Sequence, residues 1–89
     1  MTFEVRVAPT AARQLTDRLP HEAAAACVEF IFGPLAEQPR MVGAPLRAPF
    51  EGQWRARRGE YRVRYNIDDT KGIVTVLDVD HRRGIYRRP

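Results

Sequence analysis

Trp54-Arg55-Ala56-Arg57-Arg58-Gly59-Glu60-Tyr61-Arg62-Val63-Arg64-Tyr65-Asn66-Ile67 decides the fold. Tyr61, Val63, Tyr65 and Ile67 alternate with Arg62, Arg64 and Asn66, the period-two pattern of a strand with one buried face. Upstream, Trp54, Ala56 and Arg58 alternate with Arg55 and Arg57. Gly59-Glu60 between the runs supplies a tight turn. The stretch therefore reads as an antiparallel hairpin. If Trp54, Ala56, Val63 and Tyr65 face the core, then Arg55, Arg57, Arg62 and Arg64 share the opposite face.

Outward from the hairpin, Asp68-Asp69-Thr70-Lys71-Gly72 is turn chemistry. Ile73 to Val79 is apolar at both parities, which suits an interior strand covered on both sides. On the N-terminal side, Gly43, Pro45, Pro49 and Gly52 make residues 39–52 a loop or very short strand. Phe3-Glu4-Val5-Arg6-Val7 alternates as a half-buried strand. Between these lie two helices. Pro9-Thr10 starts the first, with Ala12, Leu15 and Leu19 at helical spacing, and Leu19-Pro20 ends it. The second carries Ala24, Cys27, Val28, Ile31 and Leu35 on one face. Gly33-Pro34 is expected to kink or end it near Phe32. The order β-α-α-β-β-β predicts one α+β domain over residues 1–89, a helical hairpin packed on a small, mostly antiparallel twisted sheet.

Composition bounds the function. Of 89 residues, 15 are Lys or Arg and 11 are Asp or Glu, a formal charge of +4. Fourteen of the fifteen bases are arginine, with Lys71 the lone lysine. The charge is uneven: residues 1–39 hold three Arg against five acids, whereas residues 40–64 hold seven Arg against two. A basic middle beside an acidic helical third points to a polyanion bound on one face. No apolar run approaches the ~18 residues of a spanning helix, so no membrane partner is expected. The N-terminus lacks the pattern of a signal peptide. One cysteine, Cys27, excludes an internal disulfide and points to a reducing compartment, the cytoplasm. Two histidines and one cysteine cannot close a structural zinc site, and no metal or cofactor is expected.

Four guanidinium groups on adjacent strands repel one another unless an anion neutralises them. Arginine also grips phosphate through a planar fork of N–H donors. The hairpin therefore reads as a phosphate-binding surface, extended by Arg82, Arg83, Arg87 and Arg88. The alternative for Arg64 is an ordinary ion pair with Asp78 or Glu60. Trp54, Tyr61 and Tyr65 read as core; Tyr86, in the basic tail, could stack on a base.

These residues resemble the RelE/ParE superfamily of bacterial type II toxins. The matching stretches are Pro45-Leu46-Arg47, Phe50-Glu51-Gly52-Gln53-Trp54-Arg55, Arg57 through Tyr65, and His81-Arg82-Arg83 followed by Tyr86-Arg87. The RelE branch is a ribosome-dependent, metal-independent endoribonuclease. The resemblance thus implies cleavage of mRNA in the ribosomal A site, by attack of a ribose 2′-hydroxyl on the adjacent phosphate. It carries catalytic roles onto Arg57, Arg62, Arg82 and Tyr86, with Arg55, Arg58, Arg64, Arg83 and Arg87 as further phosphate contacts. It also implies a RelB-like antitoxin as partner, ribosome and mRNA as targets, and operator DNA bound through the antitoxin.

The family pattern often has lysine where this chain has Arg55 and Arg57, and arginine does not give up its proton. Some relatives carry a glutamate where Ala44 stands. The candidate bases are then His81, Tyr86 and Glu60. Alternatively, orientation and charge stabilisation act without a conventional base. The other readings are a ParE-like poison of DNA gyrase, or a non-catalytic RNA-binding module.

Overall fold

A computed structural model describes residues 2–81. The elements are β1 (Glu4–Val7), α1 (Pro9–Arg13), α2 (His21–Phe30), β2 (Gly43–Pro45), β3 (Gln53–Arg58), β4 (Tyr61–Asp68) and β5 (Ile73–His81). Each helix runs on into a wider π-helical turn, Gln14–Arg18 after α1 and Ile31–Leu35 after α2. The five strands form one sheet in the order β1-β5-β4-β3-β2. All neighbours are antiparallel except β1 and β5, which run parallel. The α+β class and the helical hairpin on a mostly antiparallel sheet are as the sequence predicts, and β2 is the additional short strand.

The hairpin register matches the alternation read from the sequence. Trp54 lies opposite Tyr65, Ala56 opposite Val63, Arg55 opposite Arg64, and Arg57 opposite Arg62. Gly59 takes a φ of 62°, and among the described residues none other than glycine has a positive φ. A positive φ at the first of two loop positions is what a type II′ turn asks, and glycine adopts it without strain. At the far end of β4, Gly72 has a φ of 69°. There the Lys71 N–H donates to Asp68 Oδ1 at 3.0 Å, closing the turn.

Burial of apolar side chains between helices and sheet drives the packing. Val63, Tyr65, Val74, Val76 and Val79 from the sheet meet Ala11, Cys27, Ile31 and Leu35 from the helices, all essentially inaccessible. Tyr61, Trp54 and Ile67 pack around this centre. Three local expectations need correction. Val28 is 39% exposed, because the buried stripe of α2 turns through Cys27, Ile31 and Leu35. In the first helical segment the fully buried residues are Ala11 of α1 and Gln14 of the π-helical turn; Leu15 and Leu19 pack against the core as expected, while Ala12 is only half-buried. Although α2 ends at Phe30, close to the expected Phe32, Pro34 does not end the helical path. It sits inside the π-helical turn, and its carbonyl still accepts from Gln38 N–H at 2.9 Å.

The strand β5 is interior in pairing, flanked by β1 and β4, yet only one of its faces meets helices. Ile73, Thr75 and Leu77 on the other parity are half-buried. Its apolar character at both parities reflects a central position rather than cover on both faces. Below Val76, β1 has ended and β5 would show a bare edge. Buried Gln14 fills that gap: its Oε1 accepts the Val79 N–H at 2.7 Å while its Nε2 donates to Asp78 Oδ1 at 2.7 Å.

Candidate nucleic-acid interface

The open face of the sheet is built by strand parity. In β3 and β4, residues whose neighbours face the helices must face away. Arg55 and Arg57 are exposed, and Arg62 and Arg64 are half-buried. The register sets them as two directly opposed pairs, Arg55–Arg64 and Arg57–Arg62. Like charges directly opposite each other destabilise a sheet, by up to ~1 kcal/mol a pair. Beyond Arg62 the row continues to Asp80, its register partner on β5. The four-arginine cluster is therefore open on the β3 side and bordered by an acid on the β5 side.

Arg64 does not pair with Asp78 or Glu60. Its Nη1 donates to Gln53 Oε1 at 2.7 Å, and its guanidinium carbon lies 6.0 Å from the centre of the Phe50 ring. The physical reason is a bulge. Arg64 aligns with Asp78 but Tyr65 aligns with Val76, so Leu77 is an extra residue on β5. A bulge re-aims side chains, and Asp78 turns to Gln14 instead. Sequence alternation carries no signal for such an insertion.

His81 closes β5, opposite Tyr61. Its ring meets the Tyr61 ring edge to face, with centroids 5.2 Å apart. Its Nε2 lies 4.0 Å from Glu60 Oε1 in the turn. Two of the candidate bases thus stand together at the end of the hairpin, and His81, opposite Tyr61 and in contact with its ring, has the parity of the helix-side residues rather than that of Arg57 and Arg62. Arg58 lies on that side too. It has the parity of Trp54 and Ala56 and shares a small cavity with Glu29, Phe30 and Pro34 on the helix side. There it opposes, in smaller part, the burial that pushes the Cys27 thiol up. Its placement separates it from the other arginines. The expected contributions of Arg82, Arg83, Tyr86, Arg87 and Arg88 lie outside the described residues.

Behind the cluster, Tyr65 donates its hydroxyl to the Pro39 carbonyl at 2.6 Å. Burial pushes its pKa up to about 12. Gly43 on β2 lies so close that a Cβ there would come 2.2 Å from the Tyr65 hydroxyl and 2.7 Å from the Arg55 carbonyl oxygen. Only glycine lets β2 approach β3 at this point. A second contact ties the loop before β2 to the β4–β5 turn. The Arg40 guanidinium forks onto the Asp69 carboxylate, with Nη1 to Oδ1 at 2.9 Å. The arginine holds Asp69 below the usual carboxylate range. Arg40 also lies over Trp54, 5.9 Å from its ring centre.

Sequence reading missed Phe50, Gln53 and Arg40 as shapers of this surface. Phe50 stood in the matching stretch, but a loop residue has no periodicity to reveal which way it faces.

A family model described as the ParE toxin of type II toxin-antitoxin systems, parDE, matches residues 5–86. Toxin RelG of Mycobacterium tuberculosis is 50% identical over 88 residues, covering 99% of this chain and 100% of that protein. The chain belongs to the RelE/ParE family of type II toxin–antitoxin toxins. Toxin RelE of the same organism is 49% identical over 85 residues, covering 96% of this toxin and 87% of its own length.

Among solved structures, the M. tuberculosis toxin–antitoxin complex RelBE2 superposes with a TM-score of 0.87 at 47% identity, covering 91% of this chain and 99% of that one. A double mutant of Escherichia coli toxin RelE in the free state gives 0.71 at 18% identity, covering 94% and 87%. That second likeness shows the fold alone. No helix among the described residues is long and apolar enough to cross a membrane.

Proposed function

We propose that this toxin is a ribosome-dependent endoribonuclease that cuts mRNA in the A site and so arrests translation, without a metal. The observation that carries the reading is the Arg57–Arg62 pair, opposed in register on the open sheet face. Its similarity to toxins named RelE and RelG supports the same branch.

In this reading the 2′-hydroxyl of one nucleotide attacks the adjacent phosphate. The bond to the next 5′-oxygen breaks, leaving a 2′,3′-cyclic phosphate and a 5′-hydroxyl. The phosphorane passed on the way carries extra negative charge. Arg57 and Arg62 are the donors that meet that charge as it develops. Arg55 and Arg64 hold the neighbouring phosphate. A base must take the 2′-hydroxyl proton and an acid must give one to the leaving oxygen. His81 or Tyr86 takes one of these roles, and Arg82 adds charge at the same centre. Histidine is the residue type that gains and loses a proton nearest neutrality, and Glu60 stands beside His81 to orient it.

The partner in this proposal is a RelB-like antitoxin whose acidic segment covers the arginines and folds as it binds. Several solved relatives are RelB–RelE complexes. The bound antitoxin would in turn carry the pair to operator DNA.

The test is to add purified toxin to programmed ribosomes and map mRNA ends by primer extension. New ends within the A-site codon are expected. Growth arrest on induction with intact mRNA would defeat the proposal. A second reading, a gyrase poison, is favoured by the ParE name of the matching family model. It predicts gyrase-dependent DNA breaks on induction.

A further inference from the structure

We propose that Phe50 is a stacking platform for a nucleobase of the bound RNA, one nucleotide removed from the reacting phosphate. The inference rests on the RNA reading above and adds a base-contacting residue to it.

Phe50 is 47% exposed and takes no part in the hydrophobic core. An isolated surface phenylalanine needs no explanation by itself, but this one is held in place. Its N–H donates to the Arg47 carbonyl at 2.9 Å, and its own carbonyl accepts from the Gln53 N–H at 3.1 Å. The loop base is closed by Leu46 N–H to the Gln53 carbonyl at 2.9 Å. The backbone around the ring is thus fixed at three points, so little ordering remains to be done when a ligand arrives.

The ring also has charged company. Arg64 lies over it at 6.0 Å, and Gln53 fixes that guanidinium from the side at 2.7 Å. Arg64 in turn stands opposite Arg55. An aromatic face beside a cationic groove is the arrangement by which proteins hold single-stranded nucleic acid: cations track the phosphates and rings take the bases. Arg64 occupies one side of the Phe50 ring, and the exposed remainder is available to a base.

The spacing places the base. From the Arg57–Arg62 pair to the Arg55–Arg64 pair is two residues along the strand, about 7 Å. A phosphate at the reacting pair therefore puts the adjacent nucleotide, not the reacting one, at Phe50. Beyond it the same sheet face continues into an open, polar cavity of about 730 Å³, lined by Gly52, Asn66, Thr75, Arg6 and Lys71 among others. That cavity gives the chain somewhere to go after the stacked base.

The test uses the full-length toxin with single-stranded RNA carrying 2-aminopurine at successive positions, and ribosome cleavage of an mRNA library. Wild type should quench the probe at one position and show a base preference at the nucleotide next to the cut. Stacking of ~1–3 kcal/mol per base predicts that Phe50→Ala loses the quench and weakens binding of that RNA by ~5- to 150-fold. Phe50→Tyr should retain both signals. Phe50→Leu, which keeps the apolar bulk, should lose both with an unchanged melting temperature.

Cleavage by Phe50→Ala with unaltered base preference and unaltered quench would overturn the inference alone. Unaltered RNA behaviour with weakened antitoxin binding would overturn it too and assign Phe50 to the protein interface. A wild type that neither cuts mRNA nor quenches any probe would overturn the RNA reading itself, and this inference with it.

Discussion

Removing the hydroxyl of Tyr65 should change the stability of the toxin in a pH-dependent way. The hydroxyl is buried behind the arginine face and donates to the Pro39 carbonyl at 2.6 Å. Tyr65→Phe keeps the ring but leaves that carbonyl without its donor, which costs about 1–3 kcal/mol near pH 8. Burial pushes the Tyr65 pKa from its ordinary 10.0 to about 12. Because the folded value lies above the unfolded one, its stabilising contribution is complete below pH 10 and is lost as pH rises towards 12. At pH 11 the unfolded chain has mostly released this proton and the folded chain has mostly kept it. The wild type therefore loses about 1.4 kcal/mol there, one pKa unit's worth.

Tyr65→Phe has no such proton and loses none of this. Every other titrating group is common to both proteins and cancels in the difference. The stability gap between wild type and variant should thus shrink by about 1.4 kcal/mol between pH 8 and pH 11. Urea denaturation followed by Trp54 fluorescence measures both gaps. A gap that stays constant with pH would refute the buried-hydroxyl argument; a gap near zero at pH 8 would refute the importance of the Pro39 contact.

Other outcomes follow from the same structure. Gly43→Ala places a Cβ against the Tyr65 hydroxyl and the Arg55 carbonyl. It should destabilise by about 1–3 kcal/mol in denaturant melts, as overpacking does. Gln14→Leu strips the Val79 N–H and Asp78 of their partner; a loss of about 1–3 kcal/mol is expected, with faster amide exchange at Val79 by NMR. Arg62→Gln should lower ribosomal mRNA cutting by about 10²- to 10³-fold, the usual effect of removing one fixed donor to a developing charge, while the melting temperature changes little.

The hairpin shows how much of this site was legible in the sequence. Strict alternation over Tyr61–Ile67 has one solution that buries Val63 and Tyr65, so the arginine face followed from periodicity and one turn. A one-residue slip would have exposed the core, which is why the register was as good as written. The Arg64–Asp78 alternative failed for the opposite reason. Leu77 adds one residue on β5, and nothing in a pattern of period two marks where a strand gains a residue.

Helix faces were partly legible. Cys27, Ile31 and Leu35 were read correctly, and Leu15 and Leu19 do pack against the core, but the fully buried residues of the first helical segment are Ala11 and Gln14, and a buried polar residue such as Gln14 leaves no mark in an apolar pattern.

The sequence by itself determined the local elements, the direction each strand's arginines face, and the family. These depend on short-range periodicity, turn chemistry and motif, all carried by neighbouring residues. Only the tertiary structure decided that β1 joins β5 in parallel, that Gln14 completes the edge left below it, and that Phe50 comes to lie against Arg64. Each of those joins residues 14 to 69 positions apart, and the free energy that selects them is shared burial and hydrogen bonding across the fold. No local stretch of the chain encodes such a contact, because neither partner is favourably placed until the other has arrived.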